Sequence, residues 1–91
     1  MDYEWDEAKR RLNIAKHRMD FVRVRDFEWD SALIAIDDRE DYGELREVAL
    51  GFIGVRLHTL VYTARGDDLV RVIMLRKATA KEVRKYYEEE G

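Results

Sequence analysis

The chain has 91 residues, of which 46% are hydrophobic and 41% are charged, and its formal net charge is −3. This length fits a single domain over residues 1–91, and the hydrophobic share argues against a disordered chain. The sequence has no cysteine, which excludes disulfides and cysteine-ligated zinc, and no apolar run approaches the roughly 20 residues of a membrane span. We therefore expect a soluble, cytoplasmic protein.

Two helices are predicted at the start of the chain, after a short aromatic lead-in that could form an edge strand. Asp6 is a good N-cap, and Trp5, Ala8, Leu12 and Ala15 recur behind it at helical spacing. The same spacing places four polar residues together on another face of this helix: Lys9, Asn13, Lys16 and His17.

A second, shorter helix is predicted for the segment from Asp20 to Phe27, where apolar residues recur at spacings of three. The apolar run ALIAID, residues 32–37, is then typical of a strand. The polar segment DREDYGE, residues 38–44, which contains a glycine, predicts a loop or a wide turn.

From Glu47 onward the hydrophobic period changes to two, which predicts antiparallel strands. The segment LHTLVYT is one such strand, RGDD is a hairpin turn, and LVRVIML is a further strand that we expect to lie at the centre of the sheet. Thr79 and Glu82 then fit a capping box that opens a helix running to about Glu89. The expected class is α+β, with two N-terminal helices, an antiparallel sheet of three to four strands and one C-terminal helix.

Charge is unevenly distributed along the chain. Residues 9–25 hold seven Lys/Arg against one acid, residues 26–47 hold nine acids against two arginines, and residues 71–85 hold six Lys/Arg against one acid. A polyanion can bind such a chain if the two basic blocks meet in space away from the acidic one. The acids of residues 37–44 lack the spacing of a calcium loop, so we predict no metal site and interpret them as solvated loop acids, which could repel RNA or pair with basic groups of a partner.

Five segments together resemble the BrnT family of toxins from type II toxin–antitoxin systems: YEWDEAKRRLNIAKH, DDREDYGE, VALG, VYTARGD and RVIMLRKATAKEVRKYYE. The resemblance implies a fold similar to the RelE-type ribonuclease toxins, metal-independent and cofactor-free RNA cleavage that arrests translation, and a DNA-binding antitoxin partner of the BrnA type. DNA would then be bound only through the antitoxin complex. The chain departs from the family at Arg18, where glycine is usual, and at Glu47, where an aromatic or apolar residue is usual.

RNA cleavage without a metal requires a proton acceptor for the ribose 2′-OH, a proton donor for the leaving 5′-oxygen, and fixed positive charge for the phosphorane-like transition state. Arg76, Lys77 and the exposed N–H groups after Thr79 meet the last requirement, and Arg84 can lean back toward the same helix start. Strand alternation puts Arg76 on the face of Val70, Val72 and Met74 and Lys77 on the other. Both reach one cleft only if the strand ends between them.

The predicted catalytic residues are Arg76, Lys77, Arg84 and His17, and the predicted RNA-binding residues are Lys9, Lys16, Thr79, Lys81, Tyr62 and Tyr87. His17 lies near a helix C-terminus and is either an acid–base group or a plain helix cap. His58 is interpreted as a packed histidine. One of Tyr86 and Tyr87 must pack in the core, and the other can stack on a base.

Two other functions remain open from the sequence. The same basic face would serve a non-catalytic module that binds RNA or DNA, because no Glu/His catalytic pair can be placed. Alternatively the surface charge serves only assembly, and the positive cluster near Thr79 is an ordinary capped helix. RNA sequence preference, ribosome dependence and oligomeric state cannot be predicted from the sequence.

Overall fold

The computed structural model describes residues 1–90. In chain order its elements are β1 Asp2–Glu4, α1 Glu7–His17, a 3₁₀ segment Phe21–Asp26, β2 Leu33–Ile36, β3 Glu47–Ile53, β4 Arg56–Arg65, β5 Leu69–Lys77 and α2 Ala80–Glu90. The five strands form one sheet in the order β1-β5-β4-β3-β2, in which β1 runs parallel to β5 and the other neighbours are antiparallel. None of these helices is long and apolar enough to cross a membrane.

The α+β class is confirmed, and three details of the prediction are corrected. The sheet is mixed and has five strands instead of three to four, because the aromatic lead-in pairs along the start of β5. The central strand is β4, not β5. The second predicted helix is a 3₁₀ segment, and its apolar spacing of three is the natural period of that helix type.

Helix α1 begins and ends as its sequence suggests, with one conformational cost. The Asp6 carboxylate accepts a hydrogen bond from the Ala8 N–H (2.8 Å), as predicted for an N-cap. At the other end Arg18 takes a left-handed conformation with φ 56°, and its N–H donates to the Ile14 carbonyl (2.8 Å). Glycine is the residue best suited to this left-handed cap, and it is usual here in the family that the sequence resembles. With Arg18 in its place the turn is kept, but its backbone is strained.

The predicted apolar stripe faces the core only at its first residue: Trp5 packs against the core, but Ala8, Leu12 and Ala15 are exposed. Leu12 is 68% exposed, whereas Asn13 is only 6% exposed. The reason is that α1 lies along the open edge of β5, beyond the short strand β1. The Asn13 side chain donates from Nδ2 to the carbonyls of Leu75 (2.7 Å) and Met19 (2.9 Å) and accepts from the Leu75 N–H (3.3 Å). A strand edge needs hydrogen-bonding partners, so Asn13 turns inward, whereas Lys9 and Lys16 on the same helix remain exposed.

The larger core fills the sheet face covered by the 3₁₀ segment. Phe21 and Val24 are fully buried there against Leu60, Val72 and other strand residues. The ring of Phe27 lies over Gly51, where a Cβ would clash with it. On the opposite face α2 packs a smaller cluster, in which Tyr86 is 5% exposed and its hydroxyl donates to the Ser31 carbonyl (2.8 Å).

A β-bulge in β5 changes which residues share a face. Val61 pairs with Met74 and Tyr62 pairs with Val72, so Ile73 is the extra residue. The bulge reverses the alternation of the strand, because one inserted residue moves every later side chain to the other face. Arg76 therefore shares the α2 side of the sheet with Met74 but not with Val70 and Val72, which lie in the larger core. The expected face-sharing with Arg76 is thus confirmed for Met74 and wrong for Val70 and Val72.

Candidate functional site

Three donor groups converge on one carboxylate where β5 passes into α2. Arg76 donates two hydrogen bonds to Glu82, from Nη1 to Oε1 (2.7 Å) and from Nη2 to Oε2 (3.0 Å). The Thr59 hydroxyl (2.9 Å) and the Thr79 N–H (2.8 Å) also donate to Glu82 Oε1. The Glu82 N–H in turn donates to the Thr79 hydroxyl (3.2 Å), which confirms the predicted capping box. We call these four residues the Arg76 cluster.

The electrostatics of the cluster fix Glu82 as an anion. Partial burial acts to raise the pKa of Glu82, but the hydrogen bonds from Arg76, Thr79 and Thr59 outweigh it and lower that pKa to about 2. Bidentate pairing holds the Arg76 guanidinium in one orientation. The place where the sequence predicts a bound phosphate is thus occupied by a carboxylate of the chain itself.

The Arg76 cluster closes one end of a groove on the α2 side of the sheet. The groove has a volume of about 370 Å³, its floor carries Val48, Val61 and Met74, and Lys85 of α2 lines its side. The floor follows from strand register, since Val48 pairs with Val61 and Val61 with Met74. Asp37, Asp38 and Arg39 line the groove as well, so it has an apolar floor with charged groups at both ends, a composition that suits a ligand site.

A shallower depression adjoins this groove between α1 and β5. Its lining includes Lys9, Lys16 and His17 of α1, and it shares Met74 with the groove. The pKa of His17 is lowered by burial and then by the positive charges of Lys16 and Arg76, so at neutral pH its imidazole is mostly neutral. Lys9, Lys16 and His17 therefore lie on a surface next to that of Arg76, with Met74 between them, but they do not line the same groove.

Two predicted site residues lie on the opposite side of the sheet. Lys77 pairs with His58, whereas Arg76 pairs with Thr59, so the alternation within β5 and β4 turns Lys77 away from the groove. Tyr62 is 5% exposed in the larger core, and burial, with the nearby charge of Glu47, raises its pKa to about 12. Its assignment as an RNA-binding residue is corrected: packing, which the sequence allowed equally, is what occurs, with the ring edge-on to that of Trp29.

The helix α2 presents other residues to the groove than those predicted. Glu82, Lys85 and Glu89 line it, at the spacing of one helix face, whereas Arg84 and Lys81 are exposed outside it. Arg84 was expected to be a phosphate contact, but the basic residue of α2 that lines the groove is Lys85. Tyr87 is 57% exposed with its ring edge-on to that of Tyr86, so of the two tyrosines Tyr86 is the core residue.

Sequence reasoning missed the carboxylate and the hydroxyl of the cluster. Glu82 was recognised as a helix cap, and the same capping box could have indicated that its carboxylate lies beside Arg76, six residues earlier. Thr59 lies two residues before Val61 on β4 and so shares its face of the sheet, which is the groove face. The strand pattern predicted this placement but suggested no role for the hydroxyl. His58 packs as expected, with its Nδ1 2.8 Å from the Arg56 carbonyl oxygen.

The acidic loop is held partly by internal ion pairs. Asp37 is buried and bonds Arg39, whose hydrogen bonds lower the pKa of the aspartate despite that burial. Glu44 pairs with Arg46. Within residues 1–90 no group of three or more His, Asp or Glu side chains is arranged to hold a metal ion.

Comparison with known proteins identifies the family of this chain. The family model described as "Ribonuclease toxin, BrnT, of type II toxin-antitoxin system" matches residues 5–82. The chain is also similar to a solved structure, the 1.1 Å crystal structure of the Brucella abortus ribonuclease toxin, BrnT, with a TM-score of 0.69 and 30% sequence identity. That match covers 87% of this chain and 97% of the other. No curated protein sequence matches the chain.

Proposed function

Because this chain belongs to the BrnT family of ribonuclease toxins of type II toxin–antitoxin systems, we propose that it cleaves RNA without a metal ion, at the groove that ends in the Arg76 cluster. The observation that carries the proposal is the convergence of a guanidinium, a hydroxyl and the N–H of a helix N-cap on a single anion. His17 lies near enough for the charge of Arg76 to lower its pKa. These donors suit phosphoryl oxygens as well as they suit the carboxylate now bound.

In the proposed reaction Arg76 supplies the positive charge that a metal ion would otherwise provide. The 2′-OH gives its proton to the neutral imidazole of His17, its oxygen attacks the adjacent phosphorus, and the bond to the 5′-oxygen breaks. The leaving oxygen takes up a proton from water, and the imidazolium of His17 returns its proton to the hydroxide so formed. The products are a 2′,3′-cyclic phosphate and a 5′-OH end. Arg76 stabilises the charge that accumulates on the equatorial oxygens.

Glu82 has a positioning role in this scheme. The carboxylate holds the guanidinium at the groove end before RNA binds, and it competes with phosphate for the same donors. As the phosphate draws Arg76 toward itself, Glu82 loses its strongest partner while staying bonded to Thr59 and Thr79. Lys16 and Lys85 lie on the adjoining surfaces, where they can contact flanking phosphates.

We further propose that a cognate antitoxin of the BrnA type neutralises the chain. Family membership implies an antitoxin. In this scheme the antitoxin blocks the groove and carries the DNA-binding part of the complex, because the toxin chain itself contains no motif that reads DNA. Cleavage of RNA by the free toxin arrests translation, and binding of the antitoxin ends this arrest.

The test is a cleavage assay in excess chelator, with and without ribosomes, that identifies the RNA ends. We expect cyclic-phosphate ends from the wild type and a loss of roughly 100-fold or more in rate for Arg76→Ala, the typical cost of removing one transition-state donor. Arg25→Ala, which removes an equal charge from an exposed site on the 3₁₀ segment, is the matched control.

Two results would contradict the proposal. Cleavage that chelator abolishes would refute metal independence. Intact RNA with salt-dependent binding would instead support a non-catalytic RNA-binding module using the same surface. Arg84→Ala distinguishes the observed geometry from the sequence prediction. If it reduces the cleavage rate as much as Arg76→Ala does, Arg84 belongs to the catalytic site as the sequence predicted. Thermal melts of each variant exclude loss of folding as the cause.

A further inference from the structure

Strand β2 forms an outer edge of the sheet, and half of its backbone polar groups face outward. The Asp37 N–H donates inward to the Arg46 carbonyl (2.8 Å), directly after the regular pairing of β2 with β3. Inward and outward residues alternate in an antiparallel ladder, so the N–H and C=O groups of Ala35 and Leu33 also point inward. Those of Ile34 and Ile36 point away from the sheet, and within residues 1–90 no other segment bonds them.

This edge lacks the features that usually keep edge strands from pairing. The strand reads Leu-Ile-Ala-Ile, with no lysine, no proline and no bulge in its register with β3. Ile34 is 43% exposed and Ile36 is 62% exposed. A flat apolar edge of this kind is a template for a strand from another chain.

The charge beside the edge indicates which kind of strand fits. The loop that follows β2 carries five acids and one arginine over residues 37–44. Its exposed carboxylates Asp38, Glu40 and Asp41 form no ion pair with any residue in the described part of the chain. The complementary partner is an extended segment with apolar residues followed by Lys or Arg.

We propose that the antitoxin anchors itself by adding such a strand to the free edge of β2, with its basic residues against the acidic loop. The inference rests on the proposed function only for the existence of an antitoxin. Leu33 and Ala35 face the same side of the sheet as Leu50 and Val48, their partners in β3. A strand added here lies at the rim of the groove, so the chain that follows it reaches the RNA site.

The test measures backbone amide exchange by NMR in the free chain and in the complex copurified with its antitoxin. We expect the amides of Ile34 and Ile36 to exchange rapidly in the free chain and at least about tenfold more slowly in the complex, because each gains a hydrogen bond. The inward amide of Ala35 is an internal control that stays protected in both states.

A substitution in β2 tests the same backbone hydrogen bonds through the affinity for the antitoxin. Ile36→Pro removes an outward N–H and leaves the inward ladder intact, since an edge strand tolerates proline at such a position. We expect antitoxin binding to weaken by about tenfold, the equivalent of one lost hydrogen bond. Ile36→Thr, which keeps the N–H and the β-branched shape, should lose less. Protection of the Ala35 amide shows that each variant is folded.

Three outcomes would each overturn something different. If no complex with the antitoxin forms, the partner assumed in the proposed function is wrong. If a complex forms while Ile34 and Ile36 still exchange rapidly, the antitoxin binds elsewhere and the strand-addition inference fails alone. If the two amides are protected in the isolated chain together with a dimeric mass, a second copy of the chain occupies this edge instead.

Discussion

Replacing Glu82 with Gln removes one negative charge from the Arg76 cluster and keeps nearly the same shape. Glutamine still completes a capping box, so the change isolates the ion pair from the helix cap. The pKa of Glu82 is about 2 instead of 4.5, a lowering of about 2.5 pH units. At about 1.4 kcal/mol per pH unit, this corresponds to roughly 3 kcal/mol of stability.

The side chain of Glu82 remains 24% exposed, so solvent screens part of this interaction. We therefore expect Glu82→Gln to lower the free energy of unfolding by about 2 kcal/mol at neutral pH, which for a chain of this size is a fall of roughly 8–16 °C in Tm. The measurement is thermal unfolding followed by circular dichroism. Glu88→Gln removes the same charge from an exposed position of α2 and is the matched control.

The pH dependence gives the sharper test. A carboxyl group whose pKa is lowered by folding contributes its stability above the unfolded pKa and loses it as the pH falls through the folded pKa. The Tm difference between wild type and Glu82→Gln should thus be constant above pH 4.5 and shrink as the pH falls toward about 2. A Tm difference that is already absent at pH 7, or that persists unchanged to pH 2, would refute the reasoning.

Two further predictions concern buried polar groups. Asn13→Ala should lower the free energy of unfolding by about 2–4 kcal/mol in chemical denaturation, because the edge of β5 loses its hydrogen-bonding partners. The control Leu12→Ala, at an exposed neighbouring position, should change it by less than about 0.5 kcal/mol. Equal effects of the two substitutions would contradict the inward orientation of Asn13. Tyr86→Phe should lower the free energy of unfolding by about 1 kcal/mol, because the hydroxyl loses its hydrogen bond to a main-chain carbonyl. Tyr87→Phe should leave it nearly unchanged, and urea unfolding curves measure both. The reverse order would mean that the buried and exposed rings are misassigned.

Local signals in the sequence were sufficient wherever the interaction is local. The N-cap at Asp6 and the capping box of Thr79 and Glu82 involve atoms two or three residues apart, and both were predicted. The alternation along β4 correctly separated the face of Thr59 from that of Leu60. Segment motifs also pointed to the family, because they record the same local patterns over most of the chain.

Predictions failed where a distant segment decides the outcome. Whether α1 packs on a sheet face or on a strand edge depends on how far β1 extends along β5, and this choice turned the Asn13 side inward and left Leu12 exposed. The bulge at Ile73 is set by pairing with β4, and it separated Arg76 from Val72. The helical phase of α2, set by its packing on the sheet, likewise places Lys85 and not Arg84 along the groove.

The sequence by itself determined the α+β class, most element positions, the family and the presence of two basic blocks, since these depend on composition, periodicity and contacts between near neighbours. Only the tertiary structure decided that Arg76 is held by Glu82 and Thr59, that His17 lies within reach of its charge, and that Lys77 and Tyr62 face away. The physical reason is that a site joins side chains from strands and helices far apart in the chain, and a one-residue bulge is enough to change which of them meet.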